Sequence, residues 1–209
     1  MQPTPIKKLA VSAYTIPTDQ PESDGTIKWD STTIVLVEAE AGGKRSLGYS
    51  YADAATAKLI ESKLKDVVVG RDAHSPNDCF VEMVKSISNH GRAGIRSMAS
   101  AAVDTGLWDL KGKLLGTPTV TLFGQMREAM PIYGSGGFTS YTIEKLQEQL
   151  GGWAEEGIPR VKMKIGRDPA ADPERVAAAR EAIGDETELF VDANGPYSRK
   201  QALDFSYIF

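Results

Sequence analysis

The apolar positions along this chain follow two rhythms. From Ile6 to Tyr51 they fall in short runs, of which Ile34-Val35-Leu36-Val37 is the clearest, preceded by Thr32-Thr33 and followed by Gly42-Gly43. Runs of that length, broken by turn formers, predict strands joined by hairpins and so a small antiparallel sheet. After Asp53, which suits an N-cap, Ala57, Ile60 and Leu64 recur at helical spacing. A longer stripe follows in Ala99, Val103, Leu107, Leu110 and Leu114, and Gly116-Thr117-Pro118 supplies its stop. Strands followed by helices predict an α+β domain over residues 1–125.

Beyond Met130 the rhythm becomes strand, helix, strand, helix, strand. The strands are expected at Pro131 to Tyr133, Arg160 to Ile165 and Glu188 to Asp192, and the helices at about Thr142 to Glu156 and Asp172 to Ile183. The first of these helices puts Ile143, Leu146, Leu150 and Trp153 on one face. The second is expected to open with Asp172 as N-cap and Pro173 as its first residue, and to close at Gly184. Repeated βα units imply a parallel sheet over residues 126–209, either doubly wound or part of a (β/α)8 barrel.

Composition narrows the partners more than the fold. A chain of 209 residues with 41% hydrophobic side chains can build sizeable cores, and a formal net charge of -4 argues against nucleic acid and anionic membranes. The start carries no basic-then-apolar leader, and no stretch approaches the ~18 apolar residues of a span, so a soluble cytoplasmic protein is expected. The single cysteine, Cys79, excludes an intrachain disulfide framework and any multi-cysteine metal site, and reads as an inert filler thiol.

Two short segments carry candidate chemistry. In Arg160-Val161-Lys162-Met163-Lys164-Ile165, strand alternation sends Lys162 and Lys164 to one side and Val161, Met163 and Ile165 to the other. If the lysine side is enclosed, desolvation and mutual repulsion lower a lysine pKa toward the ~7 to 8 useful to a general base. Two solvated surface lysines fit the pair taken alone as well. The next strand closes with Asp192, followed by Ala193-Asn194-Gly195-Pro196. The carboxyl end of a parallel strand is where ligands and metals gather, and a hard carboxylate oxygen there suits magnesium. Each of those residue types is also an ordinary turn former.

The combination is more specific than either part. A lysine pair on one barrel strand with an aspartate ending the next resembles the mandelate racemase/muconate lactonizing branch of the enolase superfamily. "ASAAVDTGLWDLKGKLLGTP" followed by "LFG" resembles that family's signature helix, with Gly106 and Thr119 standing where alanine and an aliphatic residue are more usual. The resemblance implies an α+β capping domain followed by an α/β, TIM-like barrel. It also implies magnesium-dependent removal of a proton α to a carboxylate, giving an enediolate, as in acid-sugar dehydratases and racemases or epimerases. On that pattern Lys164 is the base, Lys162 supports the substrate carboxylate, Asp192 is the first metal ligand and Asn194 contacts substrate or the ligand shell. The substrate is a small carboxylate such as a sugar acid, and a homo-oligomer is possible. The specificity loops fall at Thr18 to Trp29 and Gly48 to Asp53, offering Trp29, Tyr49 and Tyr51 as pocket residues, and Tyr133 and Ser135 on the first barrel strand are further weak candidates.

The same resemblance implies two more acidic ligands on the following two strands. The residues after Met130 suffice for about three of eight βα units, and "DFSYIF" stops within the third helix, so the barrel is expected to be truncated and this chain alone inactive. Such a sheet would expose an edge and an apolar face. Two other classes compete: a metal-free lyase forming a Schiff base on a barrel lysine, and a noncatalytic remnant whose capping domain serves as an interaction module. Gly42-Gly43-Lys44-Arg45 lacks the spacing of a phosphate loop and is read as a hairpin turn. His74 and His90 have no partners at zinc-ligand spacing, and His90, Arg92 and Arg96 form a small basic group read as solvated surface.

Overall fold

A computed structural model describes residues 2–91 and 93–209, without the side chain of His90. The chain divides into two compact units. The first takes the residues up to Ile16 together with Thr32–Glu128, and the second takes Pro17–Ser31 together with Ala129–Phe209.

The first unit is built on β1 (Lys8–Ser23), β2 (Lys28–Ala41), β3 (Lys44–Arg45) and β4 (Gly48–Tyr51), of which β1 and β2 extend into the second unit. Strand β2 lies at the centre, beside β1 and antiparallel to both β3 and β4. Its turn to β3 is closed by Gly42 and Gly43 at φ 55° and 73°, left-handed values that glycine adopts without cost, so the phosphate-loop alternative ends in a two-residue hairpin. Asp53 caps the next helix by accepting from the Ala55 N–H at 2.8 Å. The expected single helix is α1 (Ala54–Leu59), a π-helical turn at Ile60–Leu64 and α2 (Lys65–Val68) in succession, with Ile60 and Leu64 fully buried. Helices α3 (Pro76–Ser86) and α4 (Ile95–Leu115) complete the layer. The left-handed Gly116 ends α4, and a short α5 (Thr119–Leu122) follows. Val35, Val37, Leu64, Met83, Val103, Leu107 and Leu110 meet in one core. Cys79 lies within it, and burial pushes its thiol up to about 11, which leaves it unreactive at neutral pH.

The basic group is not the solvated patch expected. Arg92 and the side chain of His90 lie outside the described residues. Arg96 is buried, with its guanidinium donating to the carbonyls of Gly91 and Val84. His74 is half-buried in a turn, with Nε2 within hydrogen-bond distance of Thr4 Oγ1.

In the second unit β5 (Gly134–Ser135), β6 (Arg160–Lys164) and β7 (Glu188–Asp192) form a parallel sheet in that order, alternating with α6 (Ile143–Glu155) and α7 (Asp172–Ile183). A further helix, α8 (Arg199–Phe205), opens with a capping box between Ser198 and Gln201. Two sequence expectations shift here. The first strand is Gly134–Ser135 and not Pro131 to Tyr133, because Gly134 presses its backbone against the Trp153 ring where a side chain would collide. The N-cap of α7 is Ala171, and Asp172 is the first helical residue. The carboxylate of Asp172 is fully buried, where Oδ2 accepts from the Gly166 N–H at 2.8 Å and the Tyr197 hydroxyl at 2.5 Å. Those bonds tie the end of β6 to the loop after β7.

Among the described residues no helix is long and apolar enough to cross a membrane. Leu203, Tyr207 and Ile208 are exposed near the end of the chain, as are Phe190 and Val191 on β7.

Candidate functional site

The alternation of β6 decides what faces what. Val161, Met163 and Ile165 are buried against Leu146 and Leu150 of α6 and Ala179 and Ile183 of α7. Lys162 and Lys164 are therefore held on the opposite face of the sheet, yet only 11% and 13% of their side-chain surface reaches solvent. In register, Lys162 pairs with Ser135 on one side and Phe190 on the other, and Lys164 pairs with Asp192. Residues paired across neighbouring strands point the same way. Lys164 Nζ donates to Asp192 Oδ2 at 2.6 Å and to Asn194 Oδ1 at 2.7 Å, while Lys162 Nζ stands 3.8 Å from the same Asp192 oxygen. Asn194 has φ 57°, the left-handed region that asparagine tolerates better than most side chains, and its N–H donates to Asp192 Oδ1 at 2.9 Å. The sharp turn after β7 thus folds the amide back onto the lysine.

The electrostatics follow from that enclosure. Burial, then the Lys164 ammonium alongside, push the Lys162 amine down to about 8, against the opposing pull of Asp192 and Asp24. Burial pushes the Asp192 carboxyl up, but the bonds from Lys164 and the Asn194 N–H, with both ammonium charges, outweigh it and hold the acid below its ordinary range. For Lys162 the sign is definite. A lysine depressed on folding binds fewer protons than the unfolded chain between about 8 and its ordinary 10.5, so stability rises with pH across that window. NMR titration of isotopically methylated lysines checks this. One resonance, lost in Lys162→Arg, is expected to titrate near 8, and a Lys162 midpoint at the ordinary value would contradict the enclosure.

Of the weaker candidates, Ser135 lies in the row with Lys162. Tyr133 stands beside it with its ring edge-on to Phe190, centroids 6.0 Å apart. Trp29 is a packing residue of the second unit: Nε1 donates to Glu22 Oε2 at 2.8 Å and the ring meets Phe138 edge-on at 5.5 Å. Tyr49 and Tyr51 belong to β4 of the first unit, where both are largely exposed.

The spacing of charges and aromatics did not single out Asp24. It is buried in the loop between β1 and β2, in the same unit as the lysines, and its charge acts on both of them. Its Oδ1 accepts from the Thr26 N–H and hydroxyl and from the Ile27 N–H, at 2.6 to 2.9 Å. The loop is fastened to the strand ends. Thr139 N–H donates to the Ser23 carbonyl at 2.9 Å, and Arg167 donates to the carbonyls of Asp24 and Ile27 at 3.1 and 2.6 Å. Gly25 has no room for a Cβ, which would strike the Ala193 carbonyl, lie 2.6 Å from Pro196 Cγ and 2.9 Å from the Ile165 carbonyl.

Both parts of the chain match known protein families. The mandelate racemase/muconate lactonizing enzyme N-terminal domain model matches residues 12–124, and the enolase C-terminal domain-like model matches residues 145–207. The chain belongs to the mandelate racemase/muconate lactonizing enzyme family of the enolase superfamily. A family-like protein from Rubrobacter xylanophilus superposes with a TM-score of 0.96 at 57% identity, over 98% of this chain and 57% of that one. The L-talarate/galactarate dehydratase from Salmonella typhimurium LT2, liganded with Mg and L-lyxarohydroxamate, gives a TM-score of 0.88 at 27% identity, over 98% of this chain and 56% of that one. The 3,6-anhydro-alpha-L-galactonate cycloisomerase of Streptomyces coelicolor is 33% identical over 196 residues, 90% of this chain and 54% of that protein. The chain thus spans about half the length of the curated relatives it matches, and those relatives are enzymes.

Magnesium is bound in structures of relatives, and Asp192 offers the hard oxygen that such an ion prefers. A single carboxylate whose oxygens already receive Lys164 and the Asn194 N–H does not make a magnesium site. Among the described residues no three His, Cys, Asp or Glu side chains are grouped to hold a metal ion.

Proposed function

We propose that this chain supplies the lysine side of a site that removes the proton α to the carboxylate of a small sugar acid, giving an enediolate on the way to dehydration, racemisation or epimerisation. The observation that carries this reading is the sequestered pair of amines converging on one carboxylate at the carboxyl ends of β6 and β7. A carbon acid needs a positioned base and positive charge where the enediolate oxygens develop. Lys164 is the base, oriented by Asp192 and Asn194. Lys162, sequestered beside Lys164 and Asp192, neutralises the substrate carboxylate. Asn194 reaches the substrate or keeps Lys164 in place.

Asp192 is proposed as one oxygen ligand of a magnesium ion whose other ligands the described residues do not supply, so no step is assigned to the ion and residues 2–209 alone are expected not to turn substrate over. The test joins this chain to the part of the Rubrobacter protein that it does not cover and follows α-proton exchange of sugar acids into D2O by NMR. Exchange by the chimera but not by the isolated chain is expected. A folded chimera that exchanges none of them, or magnesium-dependent turnover by the isolated chain, would overturn the reading in its first or second part. Borohydride with a carbonyl substrate should trap no adduct on either lysine, which separates this chemistry from a Schiff-base lyase.

A further inference from the structure

Asn194 reaches Lys164 from an unusual backbone. Among the described residues it is the only non-glycine at positive φ, 57°, and Gly195 follows it at 85°. A side-chain-bearing residue keeps the left-handed region only where its surroundings over-determine it. Here the turn 193–197 is fastened to β6 at both ends. At its start the Ile165 N–H donates to the Asp192 carbonyl at 3.1 Å. At its close the Tyr197 hydroxyl donates at 2.5 Å to Asp172 Oδ2, the oxygen that also accepts from the Gly166 N–H at 2.8 Å. Between the two, the turn packs so closely on the end of β6 that a Cβ at Gly166 would lie 2.5 Å from Pro196 Cγ. Asp172 is fully buried in the first turn of α7, and Arg175 of that helix donates to the carbonyls of Tyr141 and Phe138 at 2.8 and 2.9 Å, so the anchoring carboxylate sits on a helix that also holds the loop after β5. Burial and the Asp172 carboxylate push the Tyr197 hydroxyl well above its ordinary range, which keeps it a donor at working pH.

Resting on the reading above, we propose that Tyr197 is a positioning residue for the base: its hydroxyl, through Asp172, closes the turn that holds Asn194 Oδ1 on Lys164 Nζ. With the hydroxyl gone, the far end of the turn is loose and Asn194 can leave the left-handed region. Lys164 is then oriented by Asp192 without Asn194. The loss falls on the proton transfer and not on binding, because Lys162 meets the substrate carboxylate.

The test is Tyr197→Phe, which keeps the ring stacked on Phe205, 4.8 Å away, and removes only the hydroxyl. In the full 209-residue chain, amide hydrogen exchange of the Asn194 N–H is expected to quicken at least tenfold, as for a lost hydrogen bond to a charged acceptor, while Leu146 and Leu150 of α6 keep their protection. In the chimera, kcat is expected to fall about tenfold with KM unchanged. Asn194→Gly retains the left-handed turn and lacks the amide. Adding Tyr197→Phe to it should cost nothing further, which a general loosening of the fold would not produce. Unchanged protection at Asn194 in Tyr197→Phe would overturn the proposal, as would a tenfold loss that persists in full in the Asn194→Gly background. A chimera inactive before any substitution would sink the proton-abstraction reading and the catalytic part of this proposal with it, while exchange at Asn194 decides the latch by itself.

Discussion

Replacing Lys164 by alanine is expected to lower α-proton exchange by the chimera about a thousandfold, within the range by which a positioned general base contributes to proton transfer. The loss should fall on kcat, because the base acts where the proton moves, whereas Lys162→Ala should act mainly on KM by removing the charge that meets the substrate carboxylate. Lys164→Arg is the informative companion. It retains a cation beside Asp192 but never loses its proton at neutral pH, so it should be as inactive as alanine while preserving the ion pair. If Lys164→Arg exchanged protons at an undiminished rate, the lysine would be a counter-ion and not a base. Alanine also leaves Asn194 Oδ1 without the Lys164 donor and Asp192 with the Asn194 N–H and, of the two ammonium groups, the more distant Lys162, so circular dichroism and NMR of the variant must accompany the kinetics.

The shared facing of Lys162 and Lys164 was legible because a strand has period two. Once Val161, Met163 and Ile165 are assigned to a core, Lys162 and Lys164 have only one side left. Asp192 was legible because Asn194-Gly195-Pro196 cannot continue a strand, which marks Asp192 as its carboxyl end. What the pattern could not convey is enclosure. Lys162 acquires its depressed amine from burial that no local window encodes. Asp24 was hidden for the same reason: Asp24-Gly25 reads as a turn wherever it occurs, and its carbonyl is held at the strand ends by Arg167, 143 positions away. The two shifts around the barrel strands have local causes. Gly134 is a poor strand former chosen for its closeness to Trp153, and Asp172 spends its carboxylate on Gly166 and Tyr197 instead of capping its own helix.

The largest effect expected on stability comes from a residue that touches no candidate chemistry. A Cβ at Gly48 would strike the Ala102 carbonyl and the Gly106 N–H, and would lie 2.8 Å from Gly106 Cα, so β4 and α4 meet backbone to backbone. None of these atoms is the end of a flexible side chain. Either the strand leaves α4, opening the core of Val35, Val37, Val103 and Leu107, or the helix itself shifts. Overpacking costs about 1–3 kcal/mol where side chains can yield, and Gly48→Ala should reach or exceed the upper end, lowering the melting temperature of the first unit by about 10 °C or more. Gly106→Ala tests the same contact from the other side with the opposite outcome. Its Cβ would lie 3.3 Å from the Gly48 nitrogen, a crowding that small adjustments absorb, and alanine is favoured over glycine within a helix by about 1 kcal/mol, so that variant should be close to neutral. Gly106, unlike Gly48, is not required by its neighbour. Calorimetry of the two variants decides the matter: equal melting temperatures would mean that β4 and α4 do not approach as closely as their backbones imply.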